Sequence, residues 1–345
     1  MNDRKTLSPS LTTTSIAEAS GGSALAKWRP LFDEELAQVD AVILQQTESE
    51  ITLIPQMVQH IIKSGGKRLR PILTILSAKL FQYKGARHVN LGASIEFLHT
   101  ATLLHDDVVD ESELRRGVDT ANIVWGNAAS VLVGDFLLSR AFQLMARDGS
   151  LKVLELLSDA SAVITQGEVQ QLMAANDINT DEETYLEIIS SKTAQLFAAA
   201  CCIGAVITEQ DEATQQALFK FGLNLGVAFQ IVDDALDYSA RQEELGKTIG
   251  DDFREGKVTL PVIIAYHQGK AEEKAFWDMA ISNGGSDEQL VHALELVRKH
   301  HVLQEVFATA QTYAAKAEEA LTVFPNSEVK TALLDLLHFS VNRPY

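Results

Sequence analysis

Two short clusters of acidic residues repeat one spacing in distant parts of the chain. Each cluster has two adjacent aspartates, two apolar residues and a third aspartate, and the members are Asp106, Asp107, Asp110, Asp233, Asp234 and Asp237. Helix positions three and four apart share a face, so each cluster presents like charges that destabilise the helix unless a hard cation with oxygen ligands compensates them. One such cluster is typical of a solvated helix end. Two matching clusters, each at the end of an apolar helix, indicate a site where magnesium ions bridge a diphosphate.

Basic residues gather in two short stretches of a chain that is otherwise acidic. The stretch 65–70, with sequence GGKRLR, places three cations within four positions, and Lys67 and Arg70 share a helical face. Its glycines permit close backbone approach, arginine suits bidentate contact with phosphate, and lysine suits a point contact. Arg115 and Arg116 follow the first acidic cluster. Either stretch alone is equally typical of a solubilising turn, but beside two acidic clusters they indicate an anionic substrate.

Long helices are expected to position these residues. Beyond the first 25 residues the chain is rich in Ala, Leu, Glu, Gln and Lys, and apolar residues recur at spacings of three and four. Glycine or short polar clusters such as 116–117 and 148–150 break the pattern, and we find no strand alternation or fixed repeat. The sequence predicts an all-α fold over residues 26–345, a single large helical bundle around a central apolar cavity, after a flexible tail at residues 1–25.

Composition limits the partners and the compartment. The 345 residues carry a net charge of −18, which excludes a broad basic face, so we expect no nucleic-acid partner. The two cysteines, Cys201 and Cys202, are adjacent within an apolar run, which is typical of buried thiols in a reducing compartment. The sequence has no signal-peptide pattern and no uninterrupted apolar run of about 18 residues. We therefore expect a cytoplasmic protein without a membrane span.

Seven stretches together resemble the motifs of the trans-isoprenyl diphosphate synthases, and within them the long-chain polyprenyl synthases of the octaprenyl and decaprenyl type. In the family's order they are GGKRLRP, HTATLLHDDVVDESELRRG, WGNAASVLVGDFLLSRAF, GEVQQL, SKTAQLF, FQIVDDALDY and GKTIGDDFREGKVTLP. Several long motifs in order are more specific than any one of them. The resemblance implies the isoprenoid synthase fold, Mg²⁺ as cofactor, and head-to-tail (1′-4) condensation of isopentenyl diphosphate with an allylic diphosphate such as farnesyl diphosphate. It also implies a homodimer.

The resemblance implies roles residue by residue. The residues implied in catalysis are Asp106, Asp107, Asp110, Asp233, Asp234, Asp237 and Lys192, and the metal ligands among them are Asp106, Asp110 and Asp233. The residues implied for isopentenyl diphosphate are Lys67, Arg70, His99 and Arg116. The residues implied for the allylic diphosphate are Arg115, Lys192, Thr193, Gln230, Lys247 and Lys257. Without the resemblance, Lys192 is typical of a surface lysine and His99 of a structural histidine.

Product length is expected to depend on side chains about one helical turn before Asp106. The resemblance implies that bulky residues there close the apolar tunnel, and in this chain the positions hold Ala101 and Thr102, which are small. We therefore expect an open tunnel and a long polyprenyl product, the usual precursor of a quinone side chain. The candidates for a deeper floor are Phe97, Leu98, Phe142 and Met145. A lipophilic product implies transient contact with a membrane surface at release.

Three other kinds of protein share parts of this pattern. A terpene cyclase has the same fold and ionises the same substrates, but GGKRLR together with DDALD favours a second diphosphate site that a cyclase does not need. A silent partner subunit of a heteromeric synthase is expected to lack some aspartates or basic residues, and none is missing. A calcium-binding helical protein does not need the basic clusters, and we find no EF-hand loop. The chain departs from the family at Val118-Asp119 and at Gln170, positions without an implied role.

Overall fold

Helices dominate the part of the chain that the structure describes. The computed structural model describes residues 26–63, 65–239, 249–282 and 284–342. In chain order the helices are α1 (Asp33–Gln46), α2 (Leu53–Lys63), α3 (Leu69–Leu80), α4 (Arg87–Val109), α5 (Ala121–Trp125), α6 (Asn127–Asp148), α7 (Leu151–Ala174), α8 (Glu182–Ile189), α9 (Gln195–Ile207), α10 (Glu212–Asp237), α11 (Asp251–Arg254), α12 (Leu260–Gln268), α13 (Ala271–Ser282), α14 (Asp287–Lys299), α15 (Val302–Ala320) and α16 (Glu328–Val341). The all-α prediction is confirmed, while the predicted tail at residues 1–25 lies outside the described residues.

Short polar residues cap the first turns of several helices, and one of them lies at the predicted break 148–150. The Ser150 hydroxyl accepts a hydrogen bond from the Val153 amide at the start of α7, directly after Gly149 ends α6 with a left-handed φ of 76°. Asp181 caps α8 in the same way, and Asp211 caps α10. Each cap satisfies an amide that has no partner within its own helix. These residues therefore set the lengths of the helices that carry the site.

Helix α9 lies at the centre of the bundle. Its residues from Leu196 to Ile207 are all buried, and it packs against α3, α7 and α10. Glycines make the contacts close, because a Cβ at Gly222 of α10 would lie 2.4 Å from the carbonyl oxygen of Phe197. The free thiols of Cys201 and Cys202 are buried in α9, which confirms the burial predicted for them. A helix that is apolar on every side is expected at such a position.

One β-hairpin interrupts the helical pattern within the described residues. Strand β1 (Leu114–Arg115) pairs antiparallel with β2 (Val118–Asp119). The two residues between them, Arg116 and Gly117, have φ values of 55° and 75°. Positive φ at both central residues suits a tight two-residue hairpin turn, and glycine adopts it without steric cost. Periodicity could not reveal strands of two residues, and the hairpin brings Arg116 within electrostatic reach of Asp233.

Two helical stretches among the described residues have the length and apolar composition of a membrane span. They are Asn127–Asp148 (α6) and Glu182–Ile207, which runs from α8 through a π-helical turn at Ser190–Ala194 into α9. In the second stretch 72% of the apolar window is buried inside the protein, as in a core helix, and in the first 39% is buried. Length and composition alone are weak evidence for a membrane span.

Candidate active site

The end of helix α4 brings two aspartates to lysines from other parts of the chain. Lys257, which follows α11, donates a hydrogen bond of 2.8 Å to Oδ2 of Asp110. Lys192, in the π-helical turn before α9, places Nζ 3.7 Å from Oδ2 of Asp106. Burial and the neighbouring Asp110 raise the pKa of Asp106, and Lys192 opposes that shift. The structure therefore joins residues that are 86 and 147 positions apart at one place.

Asp107 points away from this pair. Its carboxylate is 4% exposed, and Oδ1 accepts hydrogen bonds from Nε of Arg115 at 2.9 Å and from Nη2 of the same residue at 2.6 Å. Its carbonyl oxygen accepts a bond of 3.1 Å from the amide of Asn122. Asp107 thus holds the β-hairpin against α4. It also occupies the guanidinium of Arg115, a residue expected to contact the allylic diphosphate.

The second acidic cluster lies at the end of α10 and begins with one exposed and one buried aspartate. Asp233 is exposed, and its charge opposes the lowering of the Arg116 pKa that burial causes. Asp234 is 4% exposed and accepts bonds from the Tyr185 hydroxyl at 2.6 Å and from Nε2 of Gln230 at 2.7 Å. The Thr193 hydroxyl donates to Oε1 of Gln230 at 3.0 Å. A chain of hydrogen bonds therefore runs from α8 to the residue after Lys192.

Asp237 ends the second cluster as a cap for another helix. Its carboxylate accepts bonds from the amides of Gly250 at 3.1 Å, Asp251 at 3.3 Å and Asp252 at 3.1 Å, at the start of α11. Carboxylates at helix N-termini are stabilised by these unpaired amides. Since Lys257 follows α11 closely, Asp237 helps to place that lysine opposite Asp110.

A separate cluster of cations surrounds His99. Burial and the charges of four arginines hold the pKa of His99 well below its usual value, so the ring is neutral, and the arginines are Arg68, Arg70, Arg115 and Arg116. The guanidinium of Arg70 lies 4.3 Å from the Phe197 ring centroid, burial lowers its pKa to about 10, and its Nε has no hydrogen-bond partner. Arg68 is paired with Glu96. Concentrated positive charge with an unsatisfied donor suits an anion.

The glycine stretch explains how this cation cluster closes. A Cβ at Gly66 would lie 3.3 Å from Nη1 of Arg116, so the absence of a side chain lets the hairpin arginine reach the stretch 65–70. The ammonium of Lys67 lies 5.2 Å from the centroid of the Phe339 ring on α16. The structure thus places Lys67 at the C-terminal helix, and Arg70 and Arg116 around His99. These four are the residues expected to bind isopentenyl diphosphate.

The site holds more acid than its cations can neutralise. Burial, together with a neighbouring carboxylate in each case, raises the pKa of six carboxyls, which are Asp106, Glu168, Asp234, Asp237, Asp252 and Glu255. Within the described residues, no three Asp, Glu, His or Cys side chains converge closely enough to hold a metal ion by themselves. Mg²⁺ binds through a few carboxylates and takes its other oxygens from phosphate and water. The oxygen donors and the excess of acid therefore fit divalent cations that are bound together with a diphosphate.

Several residues of the site were not predicted from the sequence. A cavity of about 110 Å³ adjoins both lysines, and its polar lining includes Gln171, Tyr185, Lys192, Gln230, Asp252 and Lys257. Glu168 and Gln171 lie in GEVQQL, three positions apart on α7, and that spacing could have marked them as one face. Tyr185 had no such signal, because only the tertiary fold brings it to Asp234, whereas Asp252 lies in the quoted stretch GKTIGDDFREGKVTLP but had no expected role. Lys247, expected at the allylic diphosphate, lies outside the described residues.

The positions expected to control product length lie on α4 below the first cluster. Ala101 is 2% exposed, and the Thr102 hydroxyl donates a hydrogen bond of 2.8 Å to the His99 carbonyl oxygen. The other candidates divide by burial. Phe97, Leu98 and Met145 are in the core, while Phe142 on α6 is 38% exposed. Three of the four candidates for the tunnel floor are therefore buried, and one is exposed.

Comparison with known proteins gives consistent results in sequence and in structure. Residues 51–297 match the family model described as Polyprenyl synthetase. The chain is 46% identical over 315 residues to octaprenyl diphosphate synthase of Haemophilus influenzae, covering 91% of this chain and 96% of that one. It is similar to the crystal structure of a decaprenyl diphosphate synthase from Rhodobacter capsulatus, with a TM-score of 0.87, 47% identity and coverage of 92% and 98%. It is also similar to a polyprenyl synthase from Caulobacter crescentus complexed with calcium and isoprenyl diphosphate, with a TM-score of 0.89, 46% identity and coverage of 93% and 97%.

Proposed function

Because the chain belongs to the polyprenyl synthetase family and is a prenyltransferase, we propose that it is a long-chain trans-polyprenyl diphosphate synthase for quinone side chains. It condenses isopentenyl diphosphate head to tail (1′-4) with an allylic diphosphate, such as farnesyl diphosphate, and repeats the step. The observation that carries this function is the meeting of two acidic clusters with two separate sets of cations. Relatives that make octaprenyl and decaprenyl diphosphates support the long product.

The acidic clusters provide the allylic half of the site. Asp106, Asp110 and Asp233 would hold Mg²⁺, which when bound withdraws electron density from the allylic diphosphate. Lys257 is paired with Asp110, and Lys192 lies 3.7 Å from Asp106, so both lysines are placed to contact a phosphate group bound at these two aspartates. The ammonium groups of these two lysines would balance the charge of the aspartates when no substrate is bound and the charge of the phosphate groups when the diphosphate is bound. A relative in complex with calcium and isoprenyl diphosphate supports the use of a divalent cation.

The arginine cluster provides the isopentenyl half. Arg70, which is half-buried, and Arg116, which is exposed, are cations next to a neutral His99 that can donate or accept a hydrogen bond. When the allylic carbon–oxygen bond breaks, its electrons leave with the pyrophosphate, and the isopentenyl double bond forms the new carbon–carbon bond. A proton is then lost to the departing pyrophosphate. The protein contributes charge stabilisation, orientation and exclusion of water, and it needs no nucleophile of its own.

The surface of α5 and α6 supports a homodimer. Five large apolar side chains on these helices are at least 37% exposed, namely Ile123, Val124, Val131, Leu132 and Phe142. A cluster of exposed apolar side chains of this kind is typical of a subunit interface. The proposal also includes a cytoplasmic location, with contact at the membrane surface when the lipophilic product leaves.

A direct assay tests the function. We expect protein incubated with Mg²⁺, farnesyl diphosphate and labelled isopentenyl diphosphate to yield one long all-trans polyprenol after dephosphorylation and reversed-phase chromatography. Asp106→Ala should lower kcat by about a hundredfold or more, because it removes charge stabilisation at the leaving group. The matched control is Asp159→Ala, at an exposed position on α7.

Two outcomes would contradict the proposal. A product that stops after one or two additions would keep the enzyme class and refute the long chain. No incorporation by folded protein with several primers would favour a silent partner subunit of a heteromeric synthase. The presence of every aspartate and arginine of the site favours the active enzyme over that alternative.

A further inference from the structure

Lys192 is shared between α7 and the first acidic cluster. Its Nζ lies 2.6 Å from Oε2 of Glu168 and donates a hydrogen bond of 2.7 Å to Oε1 of Gln171. The distance from the same Nζ to Oδ2 of Asp106 is 3.7 Å, which is too long for a hydrogen bond. The two α7 side chains therefore hold the ammonium, and Asp106 is only a more distant neighbour.

Close contact between the backbones of α7 and the π-helical turn keeps Lys192 beside Glu168 and Gln171. A Cβ at Gly167 would lie 2.8 Å from the amide nitrogen of Lys192 and 2.8 Å from Cβ of Ser191, so α7 rests directly on the π-helical turn. Glu168 follows that glycine, and Gln171 lies three positions further on the same helical face. Both side chains thus project beside Lys192 because two backbones meet at Gly167.

Lys257, the second lysine of the site, is in direct contact with its aspartate, Asp110. Lys257 donates directly to Asp110 at 2.8 Å, and its second carboxylate, Glu255, lies in the same short segment at 2.5 Å. Asp110 is therefore in a close ion pair, whereas Asp106 is not. Of the two aspartates that the lysines approach, Asp106 is the one without a close ammonium partner, so its oxygens are open to another cation.

We propose that Glu168 is a positioning residue that, with Gln171, holds Lys192 away from Asp106 and so keeps this aspartate available to a divalent cation. The inference rests on the proposed function, since it assigns Asp106 to metal binding. An ammonium group and a metal ion compete for the same carboxylate oxygens, and a second carboxylate beside the lysine relieves the competition. Without the charge of Glu168, Asp106 becomes the nearest carboxylate to Lys192, and the ion pair formed there opposes metal binding.

Calorimetric titration of Mg²⁺ into protein with inorganic pyrophosphate tests this role without turnover. At about pH 8, where Glu168 is ionised because its pKa is about 7, Glu168→Gln should raise the Kd of Mg²⁺ about three- to tenfold. The KM for the allylic diphosphate should rise, the KM for isopentenyl diphosphate should not, and saturating Mg²⁺ should restore kcat. Glu187→Gln is the matched control, since Glu187 is exposed on α8 and contacts Gln170 at 3.2 Å rather than Lys192.

A double-mutant cycle separates positioning from a direct effect on the metal. In a Lys192→Met background, Glu168→Gln should leave the Kd of Mg²⁺ unchanged, because no ammonium remains to close on Asp106. The same loss of affinity with and without Lys192, or no loss in Glu168→Gln alone, would overturn the proposal. A change in Tm with unaltered Mg²⁺ affinity would also overturn it, as a purely structural role. Failure of the proposed function would instead appear as wild-type protein that binds Mg²⁺ and pyrophosphate but forms no polyprenyl product.

Discussion

Six crowded carboxyls make the charge state of individual residues the most sensitive property of the site. In the metal-free protein, burial raises the pKa of Asp237 and of Glu168 to about 7, from ordinary values of 3.8 and 4.5. Between the ordinary pKa values and about pH 7, the folded protein thus keeps protons on these two carboxyls that the unfolded chain has already released. Stability falls with rising pH wherever the folded state binds more protons.

We therefore expect the Tm of metal-free protein to fall between about pH 4.5 and pH 7.5. Differential scanning fluorimetry in the presence of a chelator measures this slope. Asp237→Asn cannot titrate and should reduce the slope, and Mg²⁺ with pyrophosphate should reduce it as well by neutralising the carboxylates. A Tm that is constant or rising across the interval in chelator would show that these carboxyls ionise normally. Carboxyls with lowered pKa, such as Glu273 at about 2, act only at more acidic pH.

At this scale, spacing predicted which residues meet but could not assign their different orientations. Asp106 and Asp107 are the same residue type in adjacent positions, yet side chains at adjacent helix positions point in directions about 100° apart around the helix axis. One consequently faces Lys192, and the other is bound under the hairpin by Arg115. Tyr185 could not be predicted at all, because its bond to Asp234 joins residues 49 positions apart. Contacts of this kind depend on the tertiary fold and leave no local pattern.

At the scale of elements, close approach of helices sets the geometry of the core. Gly222→Ala places a Cβ 2.4 Å from the Phe197 carbonyl oxygen, and rigid backbone cannot move aside. We expect a loss of about 1–3 kcal/mol in the free energy of unfolding, or a fall in Tm of about 2–4 °C for each kcal/mol, measured by calorimetry. At Gly92 the nearest atom is a Val39 methyl at 3.3 Å, so Gly92→Ala is the control and should change stability far less. Equal losses in both variants would refute the backbone contact.

The packing of α4 against α6 is expected to limit product length. Ala101 is 2% exposed, and Ala101→Phe would place a large side chain on α4 one helical turn after Phe97 and Leu98, where the resemblance implies that bulk closes the tunnel. We expect a shorter polyprenol than that of the wild type, measured by reversed-phase chromatography. Ala213→Phe makes the same change at an exposed position on α10 and should leave the length unaltered. An unchanged product from folded Ala101→Phe protein would place the growing chain elsewhere.

Helix existence and most helix boundaries could be predicted, because apolar periodicity and polar caps act locally. The break at 148–150 became a left-handed Gly149 followed by the Ser150 cap, as local chemistry requires. The π-helical turn at Ser190–Ala194 could not be predicted, because its sequence continues a helical pattern. Such turns alter the direction of the side chains that follow, and this one carries Lys192 and Thr193. The helical stretch was predicted, but the directions of the Lys192 and Thr193 side chains were not.

At the scale of the whole molecule, the exposed apolar face of α5 and α6 predicts the oligomeric state. Leu132 is 66% exposed at the middle of this face, and Leu132→Glu would bury an unpaired charge in a subunit interface. We expect dimeric wild-type protein and monomeric variant by size-exclusion chromatography with light scattering. Val323→Glu, at a position 69% exposed after α15, should remain dimeric. Identical masses for wild type and Leu132→Glu would place the interface on another surface.

The contrast between an acidic net charge and a small cluster of arginines around His99 has a consequence for the kinetics of substrate encounter. A net charge of −18 repels a free diphosphate over long distances, and the arginines around His99 act only at short range. Salt at 0.1 M screens fields beyond about 10 Å, so moderate ionic strength removes the long-range repulsion before it weakens direct contacts between arginine and phosphate. Association should therefore be accelerated by salt, opposite to enzymes that steer anions with a basic surface. A diphosphate whose charge is already masked by a counterion approaches this protein more often than a bare one.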